Sequence, residues 1–231
     1  MGEPTEDQPP VRVVLADDEQ MVRVGMAAIL SAAPGVEVVG QAADGDAAID
    51  LVRQHRPDIA LLDVQMPGTD GLTATETITA GFPETGVVIL TTFSEDAYIA
   101  RALSGGANGF VLKTGDPRDL VSGLRAVANG GAYLSPEVAQ RVIAELDTSN
   151  AGGRMSRGAA ARERVAPLSA REREVLALIG EGLSNDQIAG RLGIVSGTAK
   201  VHVGSILARL DVRNRVQAAI VAYEAGLVSG F

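Results

Sequence analysis

From Val11 to about Asn129 the chain alternates short apolar runs with stretches in which apolar positions recur every three or four residues. Val11 to Ala16, Val36 to Gly40, Ile59 to Asp63, Val87 to Thr91 and Gly109 to Lys113 are the runs. Most are continuous in hydrophobicity, as strands covered on both faces are. Val22 to Ala33, Ala47 to His55, Leu72 to Ala80, Ala97 to Gly105 and Arg118 to Asn129 lie between or after them with helical spacing. Five repeats of strand then helix predict a doubly wound α/β domain over residues 11–130, with a five-stranded parallel sheet and helices on both faces.

The pattern changes beyond residue 130. Ser135 to Leu146 reads as one helix, with Ser135 as cap and Pro136 in the first turn. Asp147 to Pro167 is rich in Ala, Gly, Ser and Arg and lacks apolar periodicity, which predicts a flexible linker. Residues 131–167 thus form a linker with one helix, whose Arg154, Arg157, Arg162 and Arg164 are open either to DNA phosphates or to solvent.

Residues 168–231 are all helical on pattern, with four helices. Ser169 caps the first, which ends near Gly182, and Ser184 caps a short second with Ile188, Ala189 and Leu192 inward. Gly193 makes a turn. A third helix begins near Ser196, which is expected to supply its cap, and buries Ala199, Val203, Ile206, Leu207 and Leu210. Its opposite face carries Lys200, Val201, Gly204, Ser205 and Ala208, too small-sided for a second core seam. Helix, tight turn and helix with one exposed face describe a helix-turn-helix reader of the major groove. A fourth helix, Val216 to Ala225, sets Val216, Ala219, Ile220 and Tyr223 at packing intervals.

Charge separates the two parts. Residues 1–153 hold 9 Lys/Arg against 22 Asp/Glu, a net −13, whereas residues 154–231 hold 11 against 7, a net +4. Nucleic acid is therefore a plausible partner only for the second part. With no cysteine, disulfides and Cys-ligated zinc are excluded. No stretch approaches the roughly 18 apolar residues of a membrane span, so a soluble cytoplasmic protein is expected.

A doubly wound sheet binds its ligand at the carboxyl ends of the strands. Asp17 and Asp18 follow the first strand, Asp63 ends the third, Thr91 the fourth and Lys113 the fifth. As a pair, Asp17 and Asp18 read equally well as solvated loop residues; the matching positions of Asp63, Thr91 and Lys113 argue for one crevice. Three clustered carboxylates need a cation, and all-oxygen ligation suits Mg²⁺. One carboxylate can then attack a phosphoryl group held by the metal, the lysine and the hydroxyl. Only two of the twenty basic residues are lysines, Lys113 and Lys200, one in each part.

Asp17-Asp18-Glu19, Leu61 to Gly71, Leu90-Thr91-Thr92 and Phe110 to Lys113 resemble the receiver domain of two-component response regulators over residues 11 to about 130. The resemblance implies Asp63 as phosphoacceptor, Asp18 as a direct Mg²⁺ ligand, Asp17 as a ligand through water and the Gln65 backbone carbonyl as a third ligand. It implies that Thr91 and Lys113 hold the phosphoryl group. Phe110 takes the aromatic switch position, expected to turn inward as Thr91 moves toward phosphate. Leu168 to Leu176, Gly182 to Asn185, Ile188 to Leu192 and Thr198 to Val203 resemble the LuxR-type DNA-binding domain. Together the parts are similar to the NarL/FixJ family of response regulators. That implies a transcriptional regulator, not an enzyme beyond slow self-dephosphorylation, fed by a sensor histidine kinase and binding double-stranded DNA through Thr198, Lys200, Val201, Gly204 and Ser205. It also implies a homodimer on phosphorylation. Val195, Ala199, Gly204 and Ser205 depart from the family pattern and bear on DNA affinity. A Mg²⁺-dependent phosphohydrolase and a regulator independent of phosphate are the alternatives. The first usually has a second carboxylate where this chain has Gln65.

Overall fold

A computed structural model describes residues 9–92, 96–135, 138–139 and 154–228. Strands β1 (Val11–Ala16), β2 (Val36–Ala42), β3 (Ile59–Asp63), β4 (Gly86–Thr91) and β5 (Gly109–Leu112) alternate with helices α1 (Gln20–Ala32), α2 (Gly45–His55), α3 (Gly71–Gly81), α4 (Asp96–Gly105) and α5 (Pro117–Ala128). The strands are all parallel, in the order β2-β1-β3-β4-β5. A sixth strand not expected from the sequence, β6 (Tyr133–Leu134), extends the sheet beside β5 through Gly109↔Tyr133 and Phe110↔Leu134. Two residues are too few to show a period.

The twofold alternation of strand side chains divides the core into two layers. Val14, Ala60, Leu62, Ile89 and Phe110 face α2, α3 and α4, packing with Val52, Ile78 and Leu103. Val13, Leu15, Leu61, Leu90 and Val111 face α1 and α5, packing with Leu30, Leu120 and Leu124. All of β3 and β5 is buried, which explains their unbroken hydrophobicity. Pairing of Asp63 with Leu90 and of Thr91 with Leu112 brings the polar ends of three strands to one edge.

The C-terminal part contains α6 (Arg154–Val165), α7 (Ala170–Gly180), α8 (Asn185–Leu192), α9 (Ser196–Arg209) and α10 (Arg215–Glu224). Helix α6 corrects the expected linker. Ala161 and Val165 are buried in the C-terminal core, and Arg164 donates to the Leu210 carbonyl at the end of α9. Alanine needs no large apolar stripe to make a helix, and its high propensity offsets the weak periodicity. Of the expected helix over Ser135 to Leu146, most lies outside the described residues; the Ala139 amide bonds the Ser135 carbonyl at 2.9 Å.

Ser169 with Glu172 and Ser184 with Gln187 form capping boxes on α7 and α8. The expected cap on α9 is corrected. Val195 occupies the cap position with extended backbone and no side-chain bond, so Ser196 already lies within the first turn. The buried face of α9 matches expectation, with Ala199, Val203, Ile206 and Leu210 inside and Leu207 half-buried. In α10, Ala218, Val221 and Ala222 fill the domain's own core. Val216 and Ile220 instead pack on the receiver's apolar layer, and Tyr223, expected to pack, is 54% exposed.

Candidate functional site

β1, β3 and β5 deliver the crevice. Asp17 is fully buried, with its amide on the Ala42 carbonyl at 3.2 Å, its Oδ1 accepting the Glu19 amide at 2.9 Å and its carbonyl accepting Arg23 at 2.5 Å. Asp63 is 6% exposed, and its Oδ1 accepts the Val64 amide at 2.8 Å. Asp18 is exposed at the rim. Ligand oxygens from Asp17, Asp18 and Asp63 lie within 4.8 Å of one another. The Lys113 ammonium bridges two of them, 2.8 Å from Asp17 Oδ2 and 3.0 Å from Asp63 Oδ2. Its amide bonds the Thr91 carbonyl at 2.9 Å, locking the ends of β4 and β5 together.

Burial dominates the Asp63 carboxyl and pushes its pKa above the ordinary aspartate value; Lys113 offsets this in part and Asp17 adds to it. For Lys113, burial opposes the charge, but the combined pull of Asp17 and Asp63 raises its pKa above the ordinary lysine value. Asp17 Oδ2 has ion-pair contact with Lys113 but no aligned hydrogen bond. Hard oxygen donors, an under-satisfied buried carboxylate oxygen and an excess of negative charge are the chemistry a small divalent cation needs. The residues fit one.

A cleft of about 430 Å³ opens beside these groups, lined by Asp18, Val64, Gln65, Met66, Pro67, Asp70, Leu72 and Tyr98. Gln65 Nε2 donates to the Tyr98 hydroxyl at 3.3 Å, joining the loop after β3 to α4. Tyr98 had no sequence signal, because its partner lies 33 positions away. The Thr91 hydroxyl donates to the Thr92 carbonyl at 2.9 Å. Phe110 lies inward, 1% exposed in the layer facing α2 to α4. Burying a full aromatic ring is favourable by itself.

On α9, Thr198, Lys200, Val201, Gly204 and Ser205 are all exposed, and open space surrounds the missing Cβ of Gly204. Val201 is 72% and the neighbouring Val195 71% exposed. Lys200 is not free on this face. Its ammonium pairs with Glu84, in the α3–β4 loop of the receiver, at 2.5 Å. Sequence reasoning placed Glu172 in the first turn after Ser169 but missed its reach to α9: its carboxylate accepts the Ser169 amide at 2.8 Å, Arg209 at 3.1 Å and the Ser205 hydroxyl at 3.5 Å. These bonds, the Ser169 amide first, hold its pKa below the ordinary glutamate value. Arg215 is nearly buried, without a carboxylate partner among the described residues, and desolvation pulls its pKa down to about 10. It donates to the carbonyls of Leu183 and Gly130 and to Asn185.

Residues 13–125 match the family model of the response regulator receiver domain, and residues 166–222 that of the bacterial regulatory proteins of the luxR family. The transcriptional regulatory protein LiaR of Bacillus subtilis (strain 168) is 36% identical over 95% of this chain and all of its own. The response regulator protein VraR of Staphylococcus aureus (strain Mu3 / ATCC 700698) is 36% identical over 94% of this chain and 99% of its own. Among solved structures, the response regulator ChrA of a heme-sensing two-component system matches over 95% of this chain and 100% of its own, at 34% identity and a TM-score of 0.53. The complex of the response regulator RcsB with DNA matches over 94% of this chain and 99% of its own, at 26% identity and a TM-score of 0.54. The acidic crevice, the helix-turn-helix and these full-length likenesses agree: the chain belongs to the NarL-type two-component response regulators, transcriptional regulators with a receiver domain followed by a LuxR-type DNA-binding domain.

Proposed function

We propose that this regulator accepts a phosphoryl group on Asp63 from a sensor histidine kinase and then binds DNA as a homodimer. The convergence of Asp17, Asp18 and Asp63 within 4.8 Å, bridged by Lys113, carries the reading. An Asp63 oxygen attacks phosphorus as the bond to the donor imidazole nitrogen breaks, and that nitrogen takes up a proton. Asp18, Asp63 and the Gln65 carbonyl would hold Mg²⁺, with Asp17 reaching it through water, and a bound ion would supply neutralising charge for the transferring group. Lys113 exchanges its carboxylate contacts for a phosphoryl oxygen, and the Thr91 hydroxyl leaves the Thr92 carbonyl to bind another. Phe110, which lies inward in this structure, is the aromatic switch residue that responds as Thr91 moves toward the phosphoryl group. Self-dephosphorylation is slow, because turnover of small phosphoesters calls for a second carboxylate where Gln65 stands.

The +4 C-terminal part meets double-stranded DNA through Thr198, Lys200, Val201, Gly204 and Ser205 of α9. Base readout by one copy is thin. Val201 can meet a thymine methyl and Gly204 admits close backbone approach, so useful affinity requires two subunits on paired half-sites. A solved structure of RcsB holds two dimers bound to two parallel DNAs, in keeping with this. The protein works in the cytoplasm, where kinase and DNA are both accessible.

Incubation with a radiolabelled small acyl phosphate and Mg²⁺ tests the acceptor. One acid-stable, base-labile label per chain is expected, absent from Asp63→Asn. Equal Mg²⁺-dependent labelling of that variant would remove the assignment, and turnover of excess phosphoester would favour a phosphohydrolase instead.

A further inference from the structure

Asp18 is held differently from the other two carboxylates of the crevice. Asp17 and Asp63 are buried and share Lys113, whereas Asp18 is exposed and its side chain makes no hydrogen bond or ion pair among the described residues. Its carboxylate oxygen nevertheless lies within 4.8 Å of theirs. Without a side-chain partner, the direction in which Asp18 reaches is set by its backbone, and so by the two peptide planes that flank it.

Both planes are pinned. On one side the Glu19 amide donates to Asp17 Oδ1 at 2.9 Å, and on the other the Asp17 carbonyl accepts Arg23 Nη1 at 2.5 Å. Arg23 is half-buried in the first turns of α1, with its own amide on the Glu19 carbonyl at 3.0 Å. Side chains on a helix lean toward its N-terminus, so the guanidinium folds back over the turn that precedes it. The start of α1 has no substitute for this contact: Glu19 occupies the cap position without a side-chain bond, and the first turn holds no acidic residue.

We propose that Arg23 is a positioning residue for divalent-cation binding, setting Mg²⁺ affinity by fixing the backbone from which Asp18 reaches the ion. This rests on the crevice being a Mg²⁺ site. The sign of the effect separates positioning from simple charge. A cation bonded to Asp17 repels a second cation beside it, so by Coulomb's law alone its removal should tighten Mg²⁺ binding. Loss of positioning should loosen it. Groups that orient metal ligands are typically worth about 10–100-fold in affinity, which outweighs a repulsion screened by solvent at the rim.

The test is a titration of the full-length chain with MgCl₂ at constant ionic strength, followed through the amide NMR shifts of the crevice. Arg23→Met keeps an apolar stem and removes the donors; its Kd for Mg²⁺ should rise at least about tenfold while the remaining amides keep the shifts of the folded parent. Arg23→Lys keeps a charged donor on a long stem and should recover most of the affinity. Arg23→Gln is too short to reach the Asp17 carbonyl, so it should show the same loss as methionine, and it decides the matter if the methionine variant does not fold. Mg²⁺ binding as tight as the parent's, or tighter, in a folded Arg23→Met or Arg23→Gln chain would overturn the inference alone, as would an equal loss in Arg23→Lys. Crevice amides of the parent that do not respond to Mg²⁺ would overturn the metal reading and this inference with it.

Discussion

Lys113 and Lys200 are the same side chain in opposite surroundings. Lys113 is 9% exposed and lies between two buried carboxylates, whereas Lys200 is 65% exposed and meets a Glu84 that is 80% exposed. An ion pair in water gains little over its hydrated ions, but removing one member of a buried cluster strands the others. The receiver crevice thus concentrates energy in a few groups, whereas the exposed face of α9 spreads small contributions over a surface. This difference suits their tasks. On the proposed function, the crevice holds repelling charges ready for a phosphoryl group, and the helix face exchanges partners.

The largest break in the comparison is Lys113→Ala. It leaves Asp17 and Asp63 buried without their shared cation, and folding stability measured without Mg²⁺ should fall by about 3–5 kcal/mol. Millimolar Mg²⁺ should recover much of the loss, because the same oxygens then face a different cation. Arginine should rescue poorly, since a planar fork does not replace a compact ammonium between two carboxylates. The folded pKa of Lys113 is raised, so its contribution is fully present below the ordinary lysine pKa and is lost only as pH climbs through the raised value. A loss under 1 kcal/mol would show that the crevice is wetter than its geometry indicates.

Why the crevice was legible and the interface was not follows from where the signals sit. Asp63, Thr91 and Lys113 each end a run of apolar residues, so the strand pattern locates them without knowledge of pairing. Ala199, Val203 and Ile206 likewise mark the inner face of α9 by spacing alone. Nothing local marks Asn214, whose partner Leu103 is 111 positions away. Val216 and Ile220 show helical spacing, but periodicity says only that they are covered and not by which domain. Helix α6 was obscured by its composition: its buried residues include Ala161 and Val165, set among arginines that resemble a solvated linker. The absent cap on α9 followed the opposite course, because a serine at the right place in sequence stood one residue inside the helix.

A smaller effect sharpens the contrast within the DNA-binding domain. Ser169 caps α7 and forms a box with Glu172, which in turn reaches Arg209 of α9. Ser169→Ala should cost about 1 kcal/mol, well below the Lys113 effect because the amides it frees can be hydrated. The Glu172 pKa is depressed, so its contribution is present above the ordinary glutamate pKa and is lost as pH falls through the lowered value. Glu172→Gln should therefore flatten the acid limb of a melting-temperature profile while keeping the box largely intact. An unchanged acid limb would remove Glu172 from the account of acid stability.

The smallest effect belongs to Lys200. Its pair with Glu84 is short, 2.5 Å, yet both side chains are mostly in water. Lys200→Ala and Glu84→Gln should each change folding stability by less than about 0.5 kcal/mol, and the double variant should show little coupling beyond that. The DNA consequence is separate and larger. Lys200→Ala should weaken specific binding by about 1–3 kcal/mol if the ammonium reads a base edge. If it contacts only phosphate, every duplex should be weakened alike and the dependence of affinity on salt should flatten. Chemical denaturation alongside binding to specific and random duplexes at several salt concentrations separates the two. A stability loss comparable to that of Lys113→Ala would place Lys200 in a cooperative network and end the contrast between the two lysines. Unchanged binding to every duplex would instead take this face of α9 out of the DNA interface.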